Sequence, residues 1–245
     1  MKSPPGQKRP FPIATALAGI IQPVIHQPSA LPLFLLLALL FVVFVILVEL
    51  KILAYAYQKI GVGPRYVFGL MLLTLVGSHV NIPLYSIPVE RIIPPHTVWV
   101  YGLPYEVPGG GQEGATLVAV NVGGALIPTL LSVYLLVRTR MWGRMLAGVI
   151  LVSLVVYSLA SIVPGVGIVV PIFAPPLVAA GAALLFAFRR APPVAYVAGS
   201  MGTLIGADLL NLGRVAEMGA PVVSIGGAGT FDGVFLTGII AGLLA

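Results

Sequence analysis

The sequence predicts an all-α fold, a polytopic transmembrane helical bundle of about seven spans, on three observations. Hydrophobic residues make up 59% of the 245 positions and charged residues only 8%, with a mean hydropathy of +1.08. A soluble domain carries about 25% charged residues; so few polar side chains cannot cover a globule of this size, whereas lipid solvates an apolar surface without penalty. The apolar residues fall in runs close to the roughly 20 that a spanning helix needs. The cationic residues gather in alternate connections between those runs.

Taken in order, residues 1–30 form a basic, proline-containing segment with Lys2, Lys8 and Arg9. Within it, Phe11–Ile25 reads as an extra crossing, a cleaved signal segment or a surface-lying helix. Residues 31–245 read as a single membrane domain. Its spans are Pro32–Val48, Val67–Ile87, Ala115–Val137, Gly143–Val163, Val166–Phe188, Val194–Leu212 and Val222–Ala245. The fifth carries Pro164, Pro171, Pro175 and Pro176, which remove backbone donors, so a broken helix is expected near 164–176. In the seventh, the glycines around 226–229 either unwind the helix or, through Gly229 and Gly233, let a neighbouring helix approach. The one long connection contains "TVWVYGLPYEVPGGG", residues 97–111, whose alternation around a Gly-Leu-Pro signal predicts a hairpin. Trp99, Tyr101 and Tyr105 suit an interfacial anchor there.

Positive charge in short loops marks the cytoplasmic side. Lys51, Lys59 and Arg65 follow the first span, Arg138, Arg140 and Arg144 the third, and Arg189 and Arg190 the fifth. The expectation is a multi-pass protein of the cell membrane with those three loops cytoplasmic. The net charge of +6 is read as topology, so the expected partner is the lipid bilayer and no nucleic acid. Cysteine is absent, which excludes disulfides and thiol chemistry. No nucleotide-binding loop, serine elbow or zinc spacing occurs, and no metal or cofactor is expected.

Counting along the helices at about 1.5 Å per residue brings a set of polar side chains into the outer half of the bilayer. Asn81 lies near the outer end of span two, Asn121 roughly 9 Å down span three, Asp208 and Asn211 in the last turns of span six, and Asp232 roughly 15 Å down span seven. An aspartate near mid-membrane costs roughly 2.5–3.5 kcal/mol on insertion scales, so such groups face a cavity or a partner. Asp208 and Asn211 share a helix face, while Gly199, Gly202, Gly206 and Gly213 offer a packing stripe elsewhere on that helix. Asp232 reads equally as a helix cap or as a functional carboxylate. His79 reads as a hydrogen-bonded helix-end residue.

The stretches "GSHVNIPLY" (77–85), "GGALIP" (123–128), "YVAGSMGTLIGADLLNL" (196–212) and "SIGGAGTFDGVFLTGI" (224–239) resemble the prokaryotic membrane family known as domain of unknown function 1614, over roughly residues 33–245. The resemblance implies a multi-pass protein sharing these asparagines and aspartates, without an assigned activity; the chain departs from it at His79, where tyrosine is expected. A fainter similarity is to presenilin and signal-peptide-peptidase intramembrane proteases, whose paired aspartates would correspond to Asp208 and Asp232. Phe231 stands where that family has glycine, and no Pro-Ala-Leu follows. Three functions compete: binding or permeation of a cation, proton or small polar solute at Asn81, Asn121, Asp208, Asn211 and Asp232; a di-aspartyl protease with Asp208 and Asp232 catalytic; and a structural membrane scaffold. Whether the protein is an enzyme stays open at this point.

Overall fold

The computed structural model describes residues 30–89, 95–100, 103–107, 114–164, 166–227 and 233–245. The chain divides into two units, Met1–Val48 and Glu49–Ala245. In the first, the described residues are the opening turns of helix α1 (Ala30–Ile60), where Leu, Phe, Val and Ile side chains are exposed on every side. A helix that is apolar all round matches a lipid-facing span.

The second unit starts with the last turns of α1, which bury Ala56, Tyr57 and Ile60. Helix α2 (Pro64–Gly77) follows, with its proline at the first position, where a missing N–H costs nothing. The chain then becomes extended as β1 (Asn81–Val89). After the hairpin of β2 (His96–Val100) and β3 (Leu103–Val107) comes β4 (Gly114–Asn121), which passes into a π turn at 122–126 and helix α3 (Ile127–Thr139). Helix α4 (Trp142–Leu159) leads to a second hairpin, β5 (Ser161–Val163) with β6 (Gly167–Val169). Helices α5 (Ala174–Ala187) and α6 (Ala191–Thr203) are joined by a 3-10 turn at 188–190 and pack side by side. A π turn (204–208), a 3-10 turn (209–214) and the short α7 (Val215–Met218) lead to β7 (Val222–Ile225) and helix α8 (Gly233–Leu244).

Helix α6 is the centre of the bundle, packed by α3, α4, α5 and α8. Every residue from Val194 to Ser200 is buried, and small side chains make that possible. A Cβ at Gly202 would stand 2.6 Å from the Val152 side chain, and one at Gly206 2.5 Å from the Ser153 carbonyl. This is the close backbone approach that membrane helices use in place of a hydrophobic driving force. The predicted stripe therefore packs at Gly199, Gly202 and Gly206, while Gly213 faces open space. Lys59 donates from Nζ to the Leu243 carbonyl at 2.8 Å and caps the last turn of α8.

The strands form a three-stranded sheet in the order β1-β4-β7, antiparallel between β1 and β4 and parallel between β4 and β7. Pro83 and Pro88 lie in β1, the edge strand, with a register shift between Pro83 and Tyr85; edges and bulges are where a sheet tolerates proline. Beneath the sheet a second apolar cluster joins Val118, Ala125, Leu204, Met218, Ile225 and Val234.

The helical membrane character stands, but five expected spans are not continuous helices. Val67–Ile87 ends as helix at Gly77 and continues as strand; Ala115–Val137 opens as strand; Gly143–Val163 ends as helix at Leu159 and finishes as β5; Val166–Phe188 opens as the β6 arm and starts its helix at Ala174; Val222–Ala245 opens as β7 and is helical only from Gly233. The break near 164–176 is present, and Gly226 and Gly227 lie off any helix, with φ of +84° and +91°. Helical runs long and apolar enough to cross a membrane are Leu31–Ile60, Val122–Thr139, Trp142–Leu159 and Ala174–Arg214; Pro64–Gly77 and Gly233–Leu244 are shorter apolar helices. The β2–β3 hairpin lies where the alternating pattern put it.

Candidate functional site

Asn81 and Asn121 face each other across the end of the β1–β4 ladder. Asn121 is wholly buried. Its Nδ2 donates to the Ser78 carbonyl at 2.7 Å and to Asn81 Oδ1 at 3.0 Å, while its Oδ1 accepts the Gly124 N–H at 2.8 Å. The last bond caps the helix that starts at Val122, where the first N–H groups lack partners within the helix. Ser224 of β7 donates its hydroxyl to Asn81 Oδ1 at 2.6 Å. One buried amide thus ties the end of α2, the sheet and the start of α3.

Asp208 ends the π turn, and its Oδ2 accepts the Gly226 N–H at 2.7 Å. Gly226 follows β7 in a left-handed conformation that an L side chain rarely adopts, and a Cβ there would stand 2.5 Å from the Ala125 amide nitrogen. The glycine is wedged between the carboxylate and the turn that Asn121 caps. Ser224 and Gly226, two residues apart, therefore connect the asparagine pair with Asp208. Asn211 is buried and donates from Nδ2 to the carbonyls of Gly206 (3.2 Å) and Ala207 (2.9 Å), satisfying acceptors where the helical ladder changes from π to 3-10.

Asp208 also lines a cleft of about 330 Å³ bounded by β6 and the residues that follow it, β7 and the start of α8. Tyr105, Thr203, Ser224 and Thr237 contribute polar groups to the same wall. Thr203 is buried, and among the described residues its Oγ1 has no hydrogen-bond partner. A π turn closes i to i+5, so it brings Thr203 and Asp208 to one side of the helix. Among the described residues, no group of three His, Cys, Asp or Glu side chains could hold a metal ion. Among the described residues that line the cleft, a cation would meet one carboxylate, Asp208, with neutral hydroxyls around it.

Of the residues singled out from the sequence, Asn81 and Asn121 come together and Asp208 reaches them through β7. Asn81, Asn121 and Asn211 spend their amides on protein groups and do not line the cleft. Asp232 lies outside the described residues, so its cap and carboxylate readings, and the proposed aspartate pair, are not described. His79, in the tautomer that carries its proton on Nδ1, donates to the Leu75 carbonyl (3.0 Å) as a helix-end residue. Thr203, Ser224 and Thr237 were not anticipated. In an α-helix a spacing of five separates Thr203 from Asp208 by more than a quarter turn, and only the π turn realigns them.

The family model described as Protein of unknown function (DUF1614) matches residues 75–244. No curated protein and no solved structure matches the chain. The matched region begins at the end of α2 and contains the asparagine pair, Asp208 and the whole of the cleft wall.

Proposed function

The chain belongs to the DUF1614 family, whose description assigns no activity, and we propose that it is a membrane protein that binds, and passes, a small cation, proton or polar donor at Asp208. The observation that carries this is a half-satisfied carboxylate in a cleft. One oxygen of Asp208 is fixed by the Gly226 amide, and the cleft beside it also receives the buried hydroxyl of Thr203, unpartnered among the described residues. A buried polar group without a partner is expensive, and intramembrane carboxylates mark ion and solute paths by default. Irregular backbone at that depth is tolerated where it lines a cavity, and π turns in particular gather at functional sites.

In this reading the asparagines hold the frame and Asp208 meets the ligand. Asp232 directly precedes Gly233, a cleft residue, and is proposed as a second carboxylate of the same path. We count seven crossings: α1, α3, α4, α5 and α6, with the shorter α2 and α8 ending beneath the strands. The arginine-bearing turns between α3 and α4 and between α5 and α6 then face the cytoplasm with the α1–α2 turn.

The test is cation flux into proteoliposomes, followed with pH-, Na⁺- and K⁺-sensitive dyes, for the parent chain and Asp208→Asn. The amide is isosteric and can still accept from Gly226, so folding is retained. The expected result is a loss of flux of at least tenfold. Flux in Asp208→Asn equal to the parent's, or no flux and no cation-dependent rise in thermal stability of the parent, sinks the proposal.

A further inference from the structure

At the other end of α4 from the cleft, Arg140, Arg144 and Arg190 line one shallow groove of about 590 Å³ together with Met141, Trp142 and Gly143. The groove joins the α3–α4 turn to the α5–α6 turn. Three guanidinium groups repel one another there, and among the described residues none has a hydrogen-bonding or ion-pairing partner. Arg138 and Arg65, by contrast, are engaged: Arg138 donates to the Gly61 carbonyl and the Tyr134 hydroxyl, and Arg65 lies over the Tyr66 ring. Arg140 also occupies a left-handed backbone conformation at the end of α3, with φ of +55°, where glycine or asparagine is the usual residue. It is the sole non-glycine with positive φ among the described residues.

We propose that this groove binds the phosphate of an anionic phospholipid headgroup. Arginine forks match phosphate oxygens two at a time, and a phosphate relieves the repulsion of all three. The lipid source is favoured over free phosphate by what borders the groove. Trp142 (58% exposed), Leu146 (60%), Leu185 (76%) and Phe188 (79%) present an uncovered apolar face next to the arginines, which suits acyl chains continuous with the bound headgroup. The arginines thus serve as more than topology signals.

The experiment is native mass spectrometry of the full chain released from micelles containing equal phosphatidylglycerol and phosphatidylcholine. The parent is expected to retain phosphatidylglycerol preferentially. Each basic residue near a membrane surface favours anionic lipid by about fivefold, so the triple variant Arg140→Gln/Arg144→Gln/Arg190→Gln loses up to about 100-fold of that preference. Arg189→Gln, outside the groove, loses no more than the roughly fivefold share of one surface charge. Should the triple variant fail to insert, the triple lysine variant, which retains the topogenic charge, is expected to show a weakened preference because the two-pronged contact is gone. An unchanged preference in the glutamine or lysine triple variant overturns the proposal, as does an equal loss in Arg189→Gln. Displacement of the lipid by millimolar inorganic phosphate assigns the groove to free phosphate instead and overturns the lipid reading.

Discussion

Replacing Asn121 by alanine separates the framing role of this amide from any contact with a ligand. Three hydrogen bonds disappear, and the neighbours they leave are unequal. Asn81 Oδ1 keeps its bond from Ser224, but the Ser78 carbonyl and the Gly124 N–H lose the side-chain partner recorded for each inside a water-poor junction. An orphaned buried polar group costs about 1–3 kcal/mol, which gives roughly 2–6 kcal/mol for two. Interhelical bonds in membranes average about 0.6 kcal/mol, so three of them set a floor near 2 kcal/mol. The expected loss is about 2–4 kcal/mol. Asn81→Ala removes one acceptor from an exposed position where water can replace it, at about 1 kcal/mol or less. Reversible unfolding in mixed micelles measures both, and the double variant should cost less than the sum because the two side chains share a bond. Asn121→Ala no more costly than Asn81→Ala would refute the framing role. So would full stability with loss of flux, since the amide would then belong to the ligand.

Other substitutions follow from the same contacts. Gly226→Ala is expected to destabilise by about 1–3 kcal/mol, from left-handed strain and collision with Ala125, whereas Gly213→Ala, with open space around it, stays within about 0.5 kcal/mol; chemical denaturation compares them. Ser132 is buried with a hydroxyl that has no partner among the described residues, so Ser132→Ala should leave stability unchanged or raise it by up to about 1 kcal/mol, read as a higher melting temperature in detergent. Lys59→Met loses the cap on the Leu243 carbonyl and should cost about 1 kcal/mol, with faster amide exchange confined to the last turn of α8.

Helices whose partners are local could be read from the chain. Trp142–Leu159 lies within a residue of its predicted start, and the paired strands His96–Val100 and Leu103–Val107 lie within the alternating stretch. The strands that build the junction could not be read the same way. "NIPLYSIPV" is apolar enough to pass for the end of a span, and its two prolines signal an edge strand only once a sheet is known to exist. That sheet is closed by β7, and Ser224 bonds a residue 143 positions earlier. Depth counting placed Asn121 on a helix because apolar length was its only measure, yet the same asparagine, followed by two glycines near a helix start, carried the signal of an N-cap. Asp208 was found because a carboxylate in an apolar run is conspicuous. Thr203 was not, since a lone threonine in such a run carries no signal until the π turn aligns it.

The parallel pairing of β4 with β7 bears on how a ribosome-bound chain matures. Thr116 waits for the Ala220 carbonyl, 104 residues later, and Asp208 waits for Gly226. Until the stretch from Ala220 onward emerges, β4 keeps one unpaired edge and a carboxylate sits without its amide, the condition that invites pairing with foreign strands and attention from quality-control proteases. A nascent chain stalled at Met218 should therefore be degraded far faster than one stalled after α8, although both hold every long span of the bundle.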